Sequence, residues 1–349
     1  MGAKVAILGA GSWGTALADV AARCGNEVAL WGRRVEQVRH MIETRRNPDY
    51  LRKYRLAPEI APTADLGEAV RDSDVIVVAV SSSGIRDFAG RLAPACGGDV
   101  PVVSVTKGLE PGSDLRMTQV LAERLGPGSR EILCALSGPN FAEEIIRGLP
   151  AGTVVACENE ACARRVQDIL SSHVLRVYTS DDLIGVELGG ALKNVYAIAV
   201  GIVESLGLGV NVQATLITRG LAELARLGVR LGAHPFTFAG LSGLGDIVLT
   251  CTSDLSRNRR AGLALGRGQS LEEISAAGET VEGICAARAV RELARQCEVE
   301  MPIAEQLCQI LFEGKDPMAA VEELMERAAR TEREEEFVTE SGILGKYRP

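Results

Sequence analysis

The stretch Val5-Ala6-Ile7-Leu8-Gly9-Ala10-Gly11-Ser12-Trp13-Gly14 decides the fold. An apolar run empties straight into G-x-G-x-x-G, and residues 15–23 then read as an alanine-rich helix. That order of strand, glycine turn and helix is what a dinucleotide pyrophosphate requires. The first glycine permits the tight turn, the second lets backbone approach the phosphates, and the third brings helix close to strand. The pyrophosphate then lies at the positive helix N-terminus.

The second strand is read at Glu27-Val28-Ala29-Leu30-Trp31. An NAD-preferring site usually carries an acid at the end of this strand, where it binds the adenine ribose 2′-hydroxyl. Gly32, Arg33 and Arg34 stand there instead, and guanidinium forks suit a 2′-phosphate. The reading favours NADP(H) and leaves NAD(H) open. The plain alternative is that both arginines are solvated loop residues.

Length and charge set outer limits. A chain of 349 residues suits two domains, each able to bury a core. A formal net charge of −8 argues against a general nucleic-acid surface, while leaving room for a local basic pocket. No stretch reads as a membrane span of about 20 apolar residues, and the first strand is too short for a signal-peptide core. The nine cysteines look dispersed, with no C-x-x-C and no histidine partners. They read as reduced thiols of a cytoplasmic protein, acting as small core residues, and no metal site is expected.

Residues 40–62 are polar, basic and broken by prolines, so they are expected to form an irregular insertion over the sheet edge. Continuous apolar runs at 74–80, 100–106 and 131–136 read as strands buried on both faces of a mostly parallel sheet. They end at Ser81-Ser82-Ser83-Gly84, at Lys107-Gly108 and at Ser137-Gly138-Pro139-Asn140. Ligands in such sheets bind beyond the strand C-termini. From about Ile184 strand signals stop, and helical patterns follow at 185–206, 211–227, 256–266, 280–297 and 303–312. The expected fold class is α/β, with a Rossmann-like dinucleotide-binding domain over 1–187 and an all-helical substrate and catalytic domain over 188–330. A glutamate-rich tail at 331–349 is expected to be mobile and without a catalytic part.

Two constellations could carry chemistry. Lys193 has Gly189, Gly190, Ala197 and Gly201 at helical spacing around it, so it projects from a face of small residues. That face is expected to leave room for a ligand and to keep the ammonium uncovered, ready to protonate or polarise a carbonyl oxygen. The alternative is a lysine snorkelling from a buried helix. The second constellation is Gly240-Leu241-Ser242-Gly243-Leu244-Gly245-Asp246, followed by Thr250 and by Ser256-Arg257-Asn258-Arg259-Arg260. A glycine-rich loop with one acid suits an orienting group, and a serine-led basic run that opens a helix suits a phosphate. A turn acid and a solvated helix start are the alternatives. None of His40, His173 and His234 lies beside an acid in a recognisable catalytic spacing.

Eight blocks stand in one order: GAGSWGTALA (9–18), TKGLE (106–110), LSGPNFAEE (136–144), GVELGGALKNVYAI (185–198), the stretch from LITRGLAEL (216–224) to GLSGLGDIVLTCT (240–252), SRNRR (256–260), VEG (281–283) and MPI (301–303). In them the chain resembles the bacterial NAD(P)-dependent glycerol-3-phosphate dehydrogenases, and only the acidic tail lies outside the likeness. That family reduces dihydroxyacetone phosphate to sn-glycerol 3-phosphate, reversibly, for phospholipid synthesis, and the resemblance implies the same activity here. By motif it implies Lys193 as proton donor and acceptor and Lys107 near both nicotinamide and substrate. Asp246, Asn194 and Thr250 would surround the reacting centre. Gly138 and Asn140 would line the substrate site, and Ser256, Arg257 and Asn258 would hold the substrate phosphate. Besides the motif glycines Gly9, Gly11 and Gly14, the cofactor would meet Ser12, Trp13, Arg33, Arg34, Lys107, Ala142, Arg257 and Glu282. A homodimer is left open.

Three positions depart from the family pattern. Asn140 stands where Thr or Ser is usual, His234 where an acid is common, and Thr280 precedes Val281-Glu282-Gly283 where a second valine is common. Two rival readings are kept. A β-hydroxyacid dehydrogenase would need a carboxylate clamp in place of the phosphate site. A redox-sensing cofactor-binding protein would need none of Lys107, Lys193 and Asp246.

Overall fold

The computed structural model describes residues 2–276, 281–329 and 331–332. Thr280 and all but the first two residues of the expected tail lie outside them. The chain divides into two compact units, the first ending at Glu187 and the second beginning at Leu188.

The first unit is built on β1 (Lys4–Leu8), β2 (Glu27–Trp31), β3 (Ile60–Thr63), β4 (Val75–Val78), β5 (Val102–Ser104), β6 (Leu133–Ser137), β7 (Ala151–Ala156) and β8 (Leu175–Ser180). They form one sheet in the order β3-β2-β1-β4-β5-β6-β7-β8. Its pairings are parallel except for β6 with β7. The strands are linked by α1 (Ser12–Arg23), α2 (Val35–Thr44), α3 (Leu66–Val70), α4 (Ile85–Leu92), α5 (Met117–Leu125), α6 (Ala142–Ile146) and α7 (Glu160–Leu170), besides shorter turns.

Continuous apolar strands follow from a sheet covered on both faces. Val5, Ile7, Val75 and Val77 enter one core with α1, α2, α6 and α7, while Ala6, Leu8, Ile76 and Val78 enter the other with α3, α4 and α5. Period-two alternation thus feeds two apolar layers. The strand order reverses between β1 and β4, which sets the ligand crevice beyond their carboxyl ends. This is the Rossmann-like α/β architecture expected.

Several details differ from the sequence reading. Residues 40–62 are not wholly irregular, because α2 continues to Thr44 and β3 forms at Ile60–Thr63. β3 is an edge strand, where Pro62 can be tolerated because an outward-facing position needs no ladder donor. β7 and β8 lie beyond the last strand read from sequence, and the β6–β7 pair brings the only antiparallel step among the described strands. The cysteines are not all dispersed in space either. Cys134, Cys157 and Cys162, all buried, gather in the core between β6, β7 and α7.

Among the described residues the second unit is helical. α8 (Leu183–Ser205) runs across the division and is followed by α9 (Gly209–Arg230), α10 (Pro235–Phe238), α11 (Asp246–Thr252) and α12 (Arg257–Gly266). α13 (Leu271–Ala276), α14 (Glu282–Gln296), α15 (Pro302–Glu313) and α16 (Pro317–Glu326) complete it. Contrary to the sequence reading, α8 is long and apolar enough to cross a membrane, with a mean hydropathy of 1.4, but 94% of that apolar window is buried inside the protein. A core helix meets the same criterion. At Gly201 an added Cβ would stand 2.2 Å from Arg259 O, so α8 and α12 meet backbone to backbone.

Candidate active site

In the first unit the glycine turn has the form a pyrophosphate needs. Gly9 has φ +135°, and a Cβ there would lie 2.3 Å from Ala79 O; at Gly14 it would lie 1.9 Å from Gly9 O. Around Gly11 the space is open, and Gly11 caps α1 with no side-chain hydrogen bond. The first-turn amides of α1, which opens at Ser12, therefore face a site suited to an anion. Beside them the indole Nε1 of Trp13 is buried with no hydrogen-bond partner.

Two residues that the sequence reading passed over hold this turn. Gln37 Nε2 and Asn47 Nδ2 both donate to Ala10 O, at 3.1 and 3.0 Å, and Asn47 Nδ2 also donates to Thr15 Oγ1 at 2.9 Å. Asn47-Pro48 carried only a generic turn signal. At the end of β2, Arg33 is exposed, and Arg34 forms a 2.5 Å ion pair with Asp49. The strand end lacks an acid in sequence, yet the 40–62 segment delivers one to it in space.

Beyond β5 and β6 stand three of the expected substrate residues, those that belong to the first unit. Lys107 Nζ donates to Gly138 O at 2.8 Å. Asn140 Nδ2 donates to Gly152 O at 3.0 Å, while its Oδ1 and Ser137 Oγ are buried without hydrogen-bond partners. The amide of Asn140 thus has one end anchored and the other an open acceptor. Ala142 opens α6.

In the second unit Lys193 does not project into open space. Its side chain is buried, and Nζ donates to the buried Asp246 carboxylate and, at 2.6 Å, to Thr250 Oγ1. The small-residue face serves close packing: a Cβ on Gly189 would stand 2.5 Å from Ser242 O, so the glycine-rich loop lies directly on α8. That approach delivers Asp246 to Lys193. The loop residues Leu241–Gly245 make a π-helical turn, an irregularity often found at functional sites. Thr250 is fixed in turn by its own bond to Asp246 O at 2.7 Å. Asn194, next to Lys193, is buried as well. Burial pushes the thiol of neighbouring Cys251 up to about 12, so the pair sits in a poorly hydrated pocket where charge–charge interactions are strong.

The Ser256–Arg260 run divides into separate roles. Ser256 caps α12, its Oγ accepting from Arg259 N at 3.1 Å. Asn258 Oδ1 accepts from Gly283 N at 2.8 Å, which ties the start of α14 to α12. Arg259 is directed inward to Glu204 and Asp254, at 2.5 and 2.7 Å, and is therefore structural. Arg257, half exposed, pairs with Glu282 at 2.7 Å. Arg260, exposed, donates from Nη1 to Asp254 O at 2.8 Å, so the arginines of the run diverge and do not form one guanidinium fork. His234 is a helix cap, its Nδ1 accepting from Phe236 N at 3.3 Å.

The amino-terminal half matches the model of the NAD-dependent glycerol-3-phosphate dehydrogenase N-terminus over residues 4–163, and the other half matches that of the C-terminus over residues 182–322. The chain belongs to the NAD-dependent glycerol-3-phosphate dehydrogenase family. A glycerol-3-phosphate dehydrogenase [NAD(P)+] of Pelotomaculum thermopropionicum is 46% identical over 349 residues, the whole of both chains. That of Moorella thermoacetica is 49% identical over 325 residues, 93% of this chain and 96% of the relative. The crystal structure of glycerol-3-phosphate dehydrogenase from Coxiella burnetii superposes with a TM-score of 0.87 at 40% identity, covering 93% of this chain and 99% of that one. Within the glycerol-3-phosphate dehydrogenase family, then, this chain carries an α/β nucleotide-binding unit and a helical unit with a buried lysine–aspartate pair.

Proposed function

We propose that the protein reduces the ketone of dihydroxyacetone phosphate to sn-glycerol 3-phosphate, reversibly, using a nicotinamide cofactor with NADP(H) preferred over NAD(H). The observation that carries this reading is the buried Lys193 ammonium held by Asp246 and Thr250, in a chain of this family. When bound, the cofactor supplies the hydride that adds to the carbonyl carbon.

The residues of the chain do the rest. Lys193 Nζ donates a proton to the carbonyl oxygen as that oxygen gains charge, and takes it back in the reverse direction. Asp246 and Thr250 orient Nζ, with Asn194 beside them, and Lys107 polarises the carbonyl. Arg257 and the first-turn amides of α12 take the substrate phosphate, with Asn258 beside them and Ser256 keeping the helix start in shape. Gly138 and Asn140 line the substrate. At the cofactor, the α1 amides from Ser12 and Trp13 take the pyrophosphate between Gly9, Gly11 and Gly14, Arg33 and Arg34 take the 2′-phosphate, and Ala142, Arg257 and Glu282 make further contacts.

The same proposal assigns residues 1–187 to the cofactor and 188–330 to substrate and catalysis, in a cytoplasmic enzyme whose product feeds phospholipid synthesis. A turnover assay with dihydroxyacetone phosphate, run with NADPH and NADH side by side, tests it. Absence of turnover with either cofactor overturns the reading, and a higher kcat/KM with NADH overturns the preference.

A further inference from the structure

Three cysteines far from Lys193 in the sequence converge inside the first unit. The antiparallel register of β6 on β7 pairs Ala135 with Ala156; carried one residue further, it sets Cys134 opposite Cys157. Cys162, the third residue of α7, reaches the same point from the helix packed on that face. The three sulfur atoms lie within 4.8 Å of one another, Cys134 and Cys162 at 3.5 Å, and the three residues are buried.

We propose that Cys134, Cys157 and Cys162 form a three-thiolate site for a soft divalent cation of the zinc or cadmium class. A zinc–thiolate bond of about 2.3 Å puts neighbouring sulfurs of a trigonal or tetrahedral set about 3.8–4 Å apart, a spacing close to that of three sulfurs gathered within 4.8 Å. Binding displaces the three thiol protons and leaves a complex of net charge −1. The position of Cys162 in the first turn of α7 suits that charge, because the helix N-terminus favours an anion there. A monovalent ion would leave −2 in the same buried space and is disfavoured for that reason. Backbone carbonyls stand at the rim: Glu131 O lies 3.7 Å from Cys157 Sγ and Ile132 O lies 3.8 Å from Cys134 Sγ.

The competing account is three neutral thiols packed as small core side chains. Cadmium titration of the anaerobically reduced full-length protein against a competing chelator separates the two. One tight equivalent is expected in wild type and in Cys285→Ser, which changes an exposed cysteine. Its affinity is expected to fall at least about 100-fold in Cys157→Ser and in Cys162→Ser, since even the loss of an outer-shell partner costs 10–100-fold. The ion should also raise the Tm of wild type and not of Cys157→Ser. Cadmium NMR on wild type, which needs no variant to fold, should show three sulfur ligands. No tight equivalent, a tight equivalent that survives both substitutions, or a cadmium signal with fewer than three sulfurs overturns the site.

Discussion

The Asp246 carboxylate, fully buried, accepts a hydrogen bond from the Lys193 ammonium. A buried charge pair of this kind behaves as one unit, because removing either partner strands the other in a poorly hydrated pocket.

Lys193→Ala is therefore expected to lower kcat by at least about 10²-fold, the lower end for a positioned acid–base group, with cofactor affinity nearly unchanged. Steady-state kinetics combined with cofactor titration by fluorescence measures both. A near-normal kcat would take the lysine out of the mechanism.

Arg257 gives a second expectation. With Arg259 committed to Glu204 and Asp254, Arg257→Ala removes the one arginine proposed for the phosphate and should raise KM for dihydroxyacetone phosphate strongly. Unphosphorylated dihydroxyacetone should be a poor substrate for wild type and variant alike. Equal wild-type efficiency on the two ketones sinks the phosphate assignment.

The Arg34–Asp49 ion pair bears on cofactor choice. A 2′-phosphate must share or displace the Asp49 carboxylate, so Asp49→Asn should increase the NADPH/NADH ratio of kcat/KM. Arg34→Ala and Arg33→Ala should decrease it, and raised ionic strength should narrow the wild-type gap because the contact is partly exposed. If the ratio is the same in all three variants, these residues do not read the 2′ position.

Glu223 predicts a pH dependence of stability. It is buried in the second unit, accepts from Ile303 N at 2.7 Å and Ala304 N at 3.2 Å, and receives the Tyr196 hydroxyl at 3.3 Å. Burial outweighs these bonds and lifts its carboxyl from 4.5 to about 7. The folded protein thus holds the proton more tightly than the unfolded chain, a stabilisation fully present below pH 4.5 and lost as pH rises through 7. Urea unfolding of wild type and Glu223→Gln should show wild type losing about 3 kcal/mol relative to the variant across that range. Parallel pH profiles would contradict it.

How far the sequence can be read depends on how local the determining contacts are. The β1–turn–α1 segment and β2 are legible because glycine spacing and apolar runs act within a few residues. β3 is hidden because Pro62 reads as a breaker, and only its edge position makes a strand there tolerable. The face of α8 is legible as small and misread as open: Gly189 is small because Ser242 O comes close, a contact set by residues more than fifty positions away. Ser256 is a helix cap by its residue type alone, yet the division of the arginines after it depends on Glu204, Asp254 and Glu282, which no local pattern reveals. The cysteine cluster is a product of the β6–β7 register and has no linear signature.

Asn47 and Gln37 grip the carbonyl of Ala10 from a segment outside the glycine motif. The turn is therefore braced before any nucleotide arrives, and little ordering is left for binding to impose. Variation at Asn47 would loosen or stiffen the cradle while leaving every glycine in place, giving natural or laboratory evolution a way to retune nucleotide affinity and residence time without touching the fingerprint by which such domains are recognised.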